Sequence, residues 1–235
     1  MTPTDGCPIA FEPLPGRTVE RSAEYEALLR DLLHLLGAQP PVSEQQDVRN
    51  RRNWCHRARR TAGAAIAARV GHASDGPVPE EWFTPLIRAA VHEPDPSFVR
   101  DLIGPAVAAY GRRRVRLALL DYIETGIAAD AAGAARAWYW TLVPLRYHVS
   151  LHTPTPESVA EQKKYHDLDR RYDEAGLRRF VTDEDLDVRR CLLPGLLLRA
   201  DAYPADMHTL VTHAIEIART SEDEYLRHRV EIQIC

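Results

Sequence analysis

The chain has 235 residues, enough to bury a sizeable core, and its 45% hydrophobic and 27% charged residues are ordinary for a globular protein. Its formal net charge of −4 disfavours a dedicated nucleic-acid binder, which would usually be basic overall. No apolar run reaches the length of a membrane span, and β-branched residues rarely alternate with polar ones, so we expect an all-α protein that does not cross a membrane.

The cysteines favour a reducing compartment. They are far apart and form no CxxC pair: Cys7, Cys55, Cys191 and Cys235. Reduced thiols are therefore expected, rather than a disulfide or zinc framework. The amino terminus also lacks the basic-then-apolar layout of a signal peptide. Together these features predict a cytoplasmic protein.

The amino-terminal part of the chain predicts a lead-in followed by two helices. Residues 1–16 are rich in proline and are expected to be disordered. Apolar periodicity predicts helices over 19–36 and 43–70, which we assign to an N-terminal helical pair at 17–79. The second of these helices is basic in its first half and alanine-rich in its second half.

The most regular stretch lies between residues 95 and 145, after a helix predicted at 80–91. It predicts three helices in close succession. The first is capped at 95–97, with Pro96 in its first turn, and runs to Tyr110; the others cover 112–126 and 128–143. Gly111 is expected to end the first of them with a left-handed cap, and Gly126 to end the second in the same way. In the second helix Leu117 and Leu120 lie opposite the main apolar face, so we expect neighbours on both of its sides.

The remaining chain predicts further helices after a break at Pro154 and Pro156. Their expected ranges are 157–181, 183–198, 203–219 and 221–234. We assign residues 80–235 to a single helical domain that is continuous with the N-terminal helices.

An internal similarity links two of these helices. Aligning FVRDLIGPAVAA (98–109) with DVRRCLLPGLLL (187–198) matches valine, arginine and proline, and it places Pro105 opposite Pro194. A proline inside a helix costs about 3 kcal/mol or more, so two at the same offset suggest a shared kinked design. Pro144 lies in a third apolar stretch, which predicts three kinked helices stacked side by side.

This pattern resembles HEAT-type helical repeats, in which helix pairs recur at about 40–47 residues. The resemblance covers residues 80–235. It implies a right-handed stack of antiparallel helix pairs, that is, an α-solenoid of the armadillo type. It also implies a binding surface, but no particular chemistry.

Two groups of arginines are candidate binding residues. Arg49, Arg52, Arg59 and Arg60 could hold phosphates, with Trp54 stacking on a base. The alternative is a solvated helix that pairs with acids elsewhere. The second group is Arg112, Arg113 and Arg116. It stands at a helix start, where positive charge is unfavourable, which indicates either an anionic partner or a neighbouring acidic helix end.

The aromatic run at residues 138–140 is the third candidate. Trp138 and Trp140 could line a ligand pocket or anchor a protein partner, together with Tyr139 between them. The alternative is that the run belongs to the core, because aromatic side chains contribute most of the buried area in many interiors.

No motif in the sequence predicts catalysis, a cofactor or a metal site. There is no GxSxG motif, no glycine-rich phosphate loop and no dinucleotide fingerprint. We therefore favour a non-catalytic scaffold whose partner is another protein. One alternative is a nucleic-acid-binding protein similar to HEAT-like DNA glycosylases. The other is a small-molecule-binding helical domain, with residues 138–140 and the arginines of 112–116 around a pocket.

Overall fold

The computed structural model describes residues 19–42, 48–71, 76–148 and 153–234. These residues form helices joined by short connections, with one isolated antiparallel bridge between Tyr147 and Pro154, so the all-α prediction is confirmed. The lead-in predicted at 1–16 lies outside the described residues. No helix in the described ranges is both long and apolar enough to cross a membrane.

The α-helices of these residues are numbered in chain order. They are α1 (Val19–Leu35), α2 (Val48–Gly71), α3 (Phe83–Val91), α4 (Arg100–Tyr110), α5 (Arg112–Thr125), α6 (Ala128–Tyr139), α7 (Pro156–Lys163), α8 (His166–Thr182), α9 (Leu186–Leu192), α10 (His208–Thr220) and α11 (Glu224–Ile234). Short 3-10 helices precede α3 and α10 and follow α9, at Glu80–Trp82, Leu193–Gly195, Ala200–Ala202 and Ala205–Met207.

The expectation of three kinked helices is wrong for two of the prolines. Pro105 does lie inside α4. Pro144 lies in the irregular segment after α6, and Pro194 opens the 3-10 turn that follows α9. The two prolines that the alignment matched therefore have different structural roles, because one is inside an α-helix and the other ends one.

Other helix ends also differ from the sequence prediction. The helix predicted over 157–181 is two helices, α7 and α8, which are separated at Lys164 and Tyr165. The helix predicted to reach Val143 ends at Tyr139. Gly111 ends α4 with the expected positive φ of 83°, but its ψ of 144° lies outside the left-handed helical region. Gly126 has φ of −70° and ends α5 in an extended conformation.

The helices pack in two series of neighbours. In the first series α2 packs on α4, α4 on α5, α5 on α8 and α8 on α10. In the second series α1 packs on α3, α3 on α6, α6 on α9 and α9 on α11. The series are joined by five pairs, which are α1 with α2, α3 with α4, α5 with α6, α8 with α9, and α10 with α11. Within each series, every helix between the two ends therefore packs on a neighbour on either side.

Helix α6 lies between two hydrophobic clusters. Ala134, Ala137 and Trp138 belong to the cluster built mainly by α1 to α5, whereas Ala131 and Ala135 belong to the cluster built by α8 to α11. Small side chains allow this helix to be surrounded, because its backbone can approach its neighbours closely. The closest approach is to α3, where a Cβ atom at position 133 would overlap the carbonyl group of Val91.

Helix α5 was expected to be covered by neighbours on both sides, but one of its sides is partly exposed. Leu120 is buried, but Leu117 is 40% exposed. The helix with buried residues on most of its sides is instead α6, over residues 131–138. Its sequence is less apolar in appearance because alanine replaces the larger aliphatic residues.

Candidate functional site

The arginines of α2 divide into internal and exposed groups. Arg59 is 4% exposed, and its Nη1 donates to Glu93 Oε2 at 2.6 Å. Its guanidinium also lies 4.5 Å from the ring centre of Phe98. Arg51 pairs with Glu26 of α1 at 3.1 Å. Arg59 therefore joins α2 to the segment after α3 and is not presented to a ligand.

Arg49, Arg52 and Arg60 form an exposed stripe on α2. Their spacing places them within one face of the helix, over a length of about 16 Å. No acid within the described ranges forms a salt bridge with any of the three. We call these three residues the basic stripe. They are the candidate binding residues of α2 that are exposed, whereas the fourth candidate, Arg59, is buried.

Trp54, which the sequence offered as a base-stacking residue, is part of the core. It is almost fully buried, and its indole Nε1 donates to the carbonyl oxygen of Pro41 at 2.9 Å. Arg30 of α1 covers the ring at 4.3 Å from its centre. A base could not stack there without displacing α1.

The arginines at the start of α5 contact groups of the same chain. Arg113 pairs with Asp167, and Arg116 donates to Asp169 Oδ1 at 2.8 Å. Both aspartates lie in the first turn of α8, the acidic helix end that the sequence analysis offered as the alternative to an anionic partner. Arg112 donates to the carbonyl oxygens of Thr141 and Leu142, beyond the end of α6.

Arg116 and Trp138 lie together in the interior. The Arg116 guanidinium is 4.8 Å from the ring centre of Trp138, and its Nε donates to the Thr141 hydroxyl at 3.1 Å. Trp138 stacks on Tyr172 of α8, with ring centres 4.4 Å apart and an interplanar angle of 10°. These residues fix α5, α6 and α8 to one another.

Trp140 has a different position, at the wall of a surface pocket of about 360 Å³. Its Nε1 donates to the carbonyl oxygen of Pro96 at 3.0 Å, and its ring lies edge-on to Tyr139 at 5.1 Å. The other lining residues come from α6, α8, α9 and the turns beside them, and include Ala135, Arg136, Tyr172, Cys191, Pro194 and Gly195. We call this cavity the aromatic pocket.

Arg136 is the charged residue of the aromatic pocket. Its side chain is 9% exposed, and its Nη1 lies 3.3 Å from both Asp187 Oδ2 and Cys191 Sγ. Its Nε is buried and has no hydrogen-bond partner among the described residues. Burial raises the pKa of Cys191 to about 12, so this thiol stays protonated near neutral pH and is a poor nucleophile.

The sequence analysis missed Arg136. The arginines of 112–116, which were expected around a pocket with the aromatics, do not line this one. The available signal was an arginine in an otherwise small and apolar helix, AADAAGAARAWY. A charge in such a setting must find a partner, here Asp187 of α9, 51 residues away in sequence.

The rim of the aromatic pocket is apolar and exposed. Tyr139 is 64% exposed, and Leu142 and Leu197 nearby along the chain are also large exposed hydrophobic residues. Arg100 of α4 lies above the outer wall, 5.9 Å from the Trp140 ring centre, with 63% of its side chain exposed. The site therefore combines a cavity, exposed aromatic surface and positive charge.

Comparisons with protein-family models, with curated proteins and with solved structures return no match to this chain. Among the described residues, no group of three or more His, Cys, Asp or Glu side chains converges as a metal site. Function is therefore inferred from the geometry of this chain alone.

Proposed function

We propose that the protein is an interaction scaffold that docks another protein at the aromatic pocket. The observation that carries this proposal is the Tyr139 ring, which is 64% exposed and lines a preformed cavity. Energetically dominant contacts in protein interfaces are enriched in aromatic residues and arginine in central pockets. Exposed apolar patches with a polar rim mark such interfaces in otherwise soluble proteins.

The scaffold is proposed to be a HEAT-like α-solenoid. The five helix pairs, each packed on the next, support this assignment. In a regular array, consecutive helices alternate between the two series. The array is irregular at one point, because the consecutive helices α4 and α5 belong to the same series. The right-handed sense of the stack stays a prediction.

Site-specific photo-crosslinking in the native cell tests the docking proposal. A photoreactive phenylalanine analogue at position 139 should give a discrete protein adduct, because this side chain lies at the pocket. The same analogue at Tyr147, which is 57% exposed but does not line the pocket, is the matched control and should give none. Equal labelling at both positions, or none at either, would count against docking here.

Nucleic-acid binding is a second candidate, and the basic stripe favours it. Three guanidinium groups on one helix face could each neutralise a phosphate, so the logarithm of affinity should fall with the logarithm of salt with a slope of about −2 on single strands. A mobility-shift assay with an oligonucleotide of about 20 bases measures this slope. The double substitution Arg52→Gln with Arg60→Gln should flatten it, whereas Arg171→Gln, which removes an exposed arginine paired with Glu124, should not. Absence of binding at low salt would remove this candidate.

A further inference from the structure

We infer that the aromatic pocket recognises an acidic segment of the partner that carries an aromatic side chain. The inference rests on the proposed docking function and adds the chemistry of the group that is bound. It follows from three features of the pocket, namely the nature of its walls, the charge at its rim and the hydrogen-bonding state of Arg136.

The walls of the pocket fit a planar apolar group. Tyr139, Trp140 and Tyr172 supply three rings, and Pro194 and Gly195 add uncharged surface. Aromatic rings pair favourably edge-to-face or offset-stacked at centre distances of about 4.5–7 Å. The pocket is open to solvent through exposed Tyr139, so a side chain projecting from another protein can enter without opening the fold.

The positive charge near the pocket favours a ligand in which an acidic residue lies next to the aromatic side chain. Arg100 stands over Trp140, and its contact to Asp101 is a long 3.7 Å. On the same side, Ser97 lines the pocket and precedes Phe98, whose ring contacts His56 of α2 at 5.1 Å. His56 lies on the same face of α2 as the basic stripe.

Arg136 lines the pocket and carries a buried donor that is unpaired within the described part of the chain. The Nη1 contacts to Asp187 and Cys191, at 3.3 Å to 3.4 Å, are long for charge-assisted hydrogen bonds. Its Nε has no partner within the described part of the chain. A buried donor left unpaired carries a free-energy cost, which an acceptor oxygen on a bound ligand would remove. Arg136 also lines a neighbouring pocket of about 380 Å³ between α1, α3 and α6.

A series of capped tripeptides separates the roles of the ring and the charge. The probes are N-acetylated, C-amidated Glu-Trp-Glu, Gln-Trp-Gln, Lys-Trp-Lys and Glu-Ala-Glu, titrated into the full chain and followed by nuclear magnetic resonance of the arginine Nε–H groups. Glu-Trp-Glu should bind with a dissociation constant on the order of 0.1–1 mM, as expected for a small ligand in a half-open site, and should shift the Arg136 Nε–H resonance. Gln-Trp-Gln should bind about tenfold more weakly, because hydrogen bonds to a charged group are lost. Lys-Trp-Lys and Glu-Ala-Glu should not bind.

Matched variants locate the binding. Arg100→Gln should reduce the affinity for Glu-Trp-Glu to that for Gln-Trp-Gln, whereas Arg113→Gln, which removes an exposed arginine away from the pocket, should leave it unchanged. Tyr139→Ala should weaken the binding of both Glu-Trp-Glu and Gln-Trp-Gln, and Tyr147→Ala should not. None of these side chains is buried, so the variants are expected to fold.

Several outcomes would overturn the inference. Equal binding of the three tryptophan probes would remove the acidic requirement, and binding of Glu-Ala-Glu equal to that of Glu-Trp-Glu would remove the aromatic one. A dissociation constant in the low micromolar range for a free aromatic acid would indicate a small-molecule site instead. Tighter, competitive binding of a single-stranded oligonucleotide would indicate nucleic acid. If no peptide binds but position 139 still crosslinks to a partner, this inference fails while the docking function stands.

Discussion

Replacing Gly133 with alanine is expected to destabilise the protein by about 3 kcal/mol, the upper end of the usual range for overpacking a core. The added Cβ would overlap the carbonyl group of Val91, which is backbone and cannot rotate away. Helices α3 and α6 would have to separate, and both buried clusters would lose contacts. Urea unfolding followed by circular dichroism measures the change, seen as a lower midpoint at an unchanged slope.

Gly104→Ala is the matched control, because it adds the same methyl group to a helix where no atom lies within 4 Å of the new Cβ. Alanine gains about 1 kcal/mol of helix propensity over glycine. The residue before a proline is sterically restricted, and Pro105 follows, so this gain is partly offset. The net change should be small. A Gly133→Ala variant as stable as Gly104→Ala would show that α3 and α6 do not approach so closely.

Replacing Arg59 with methionine should cost about 3–5 kcal/mol, because it leaves the buried Glu93 carboxylate without its ion-pair partner. Burial raises the pKa of Glu93, and the Arg59 guanidinium opposes that rise, so the pKa should climb further in the variant. A carboxyl group whose pKa is higher in the folded state binds more protons there, and stability then falls as the pH rises. The variant should therefore be least stable near pH 8 and recover towards pH 5.

Two further variants control this experiment. Arg113→Met breaks an ion pair whose two side chains are each 53% exposed, and it should change the midpoint little. The double substitution Arg59→Met with Glu93→Leu removes both buried charges and should recover much of the lost stability. If Arg59→Met unfolds at the wild-type urea concentration at pH 8, the pair does not support the junction of α2 with the segment after α3.

Helix content and most helix positions could be predicted from the sequence, because apolar periodicity and capping residues are local signals. The ends of α4 and α5 follow from Gly111 and the short connection after Thr125. The separation of α7 from α8 had no such signal. The break at Tyr165 contains no glycine or proline, and its ring is positioned by Arg112 and Arg116 from α5. A tertiary contact of this kind cannot be derived from a local pattern.

The candidate site was predictable in its aromatic part and not in its charged part. Residues 138–140 were expected either in the core or at a pocket, and the structure gives both, with Trp138 inside and Trp140 at the wall. Because Trp138 and Trp140 are two positions apart, helical geometry places their side chains on different faces of the helix. It does not determine which of these faces points into the core. An arginine is buried or exposed according to whether an acidic residue that is distant in sequence pairs with it. Arg59, for example, pairs with Glu93, which is 34 residues away.

The position of α6 also determines how the chain can move and unfold. Its 12 residues complete two interiors at once, so neither half of the chain has a finished interior without them. Neither half is then expected to fold on its own. A hinge motion between the halves would break the contacts of α6 with one of the two clusters. We expect one cooperative transition, with the backbone amides of α6 among the last to exchange with solvent.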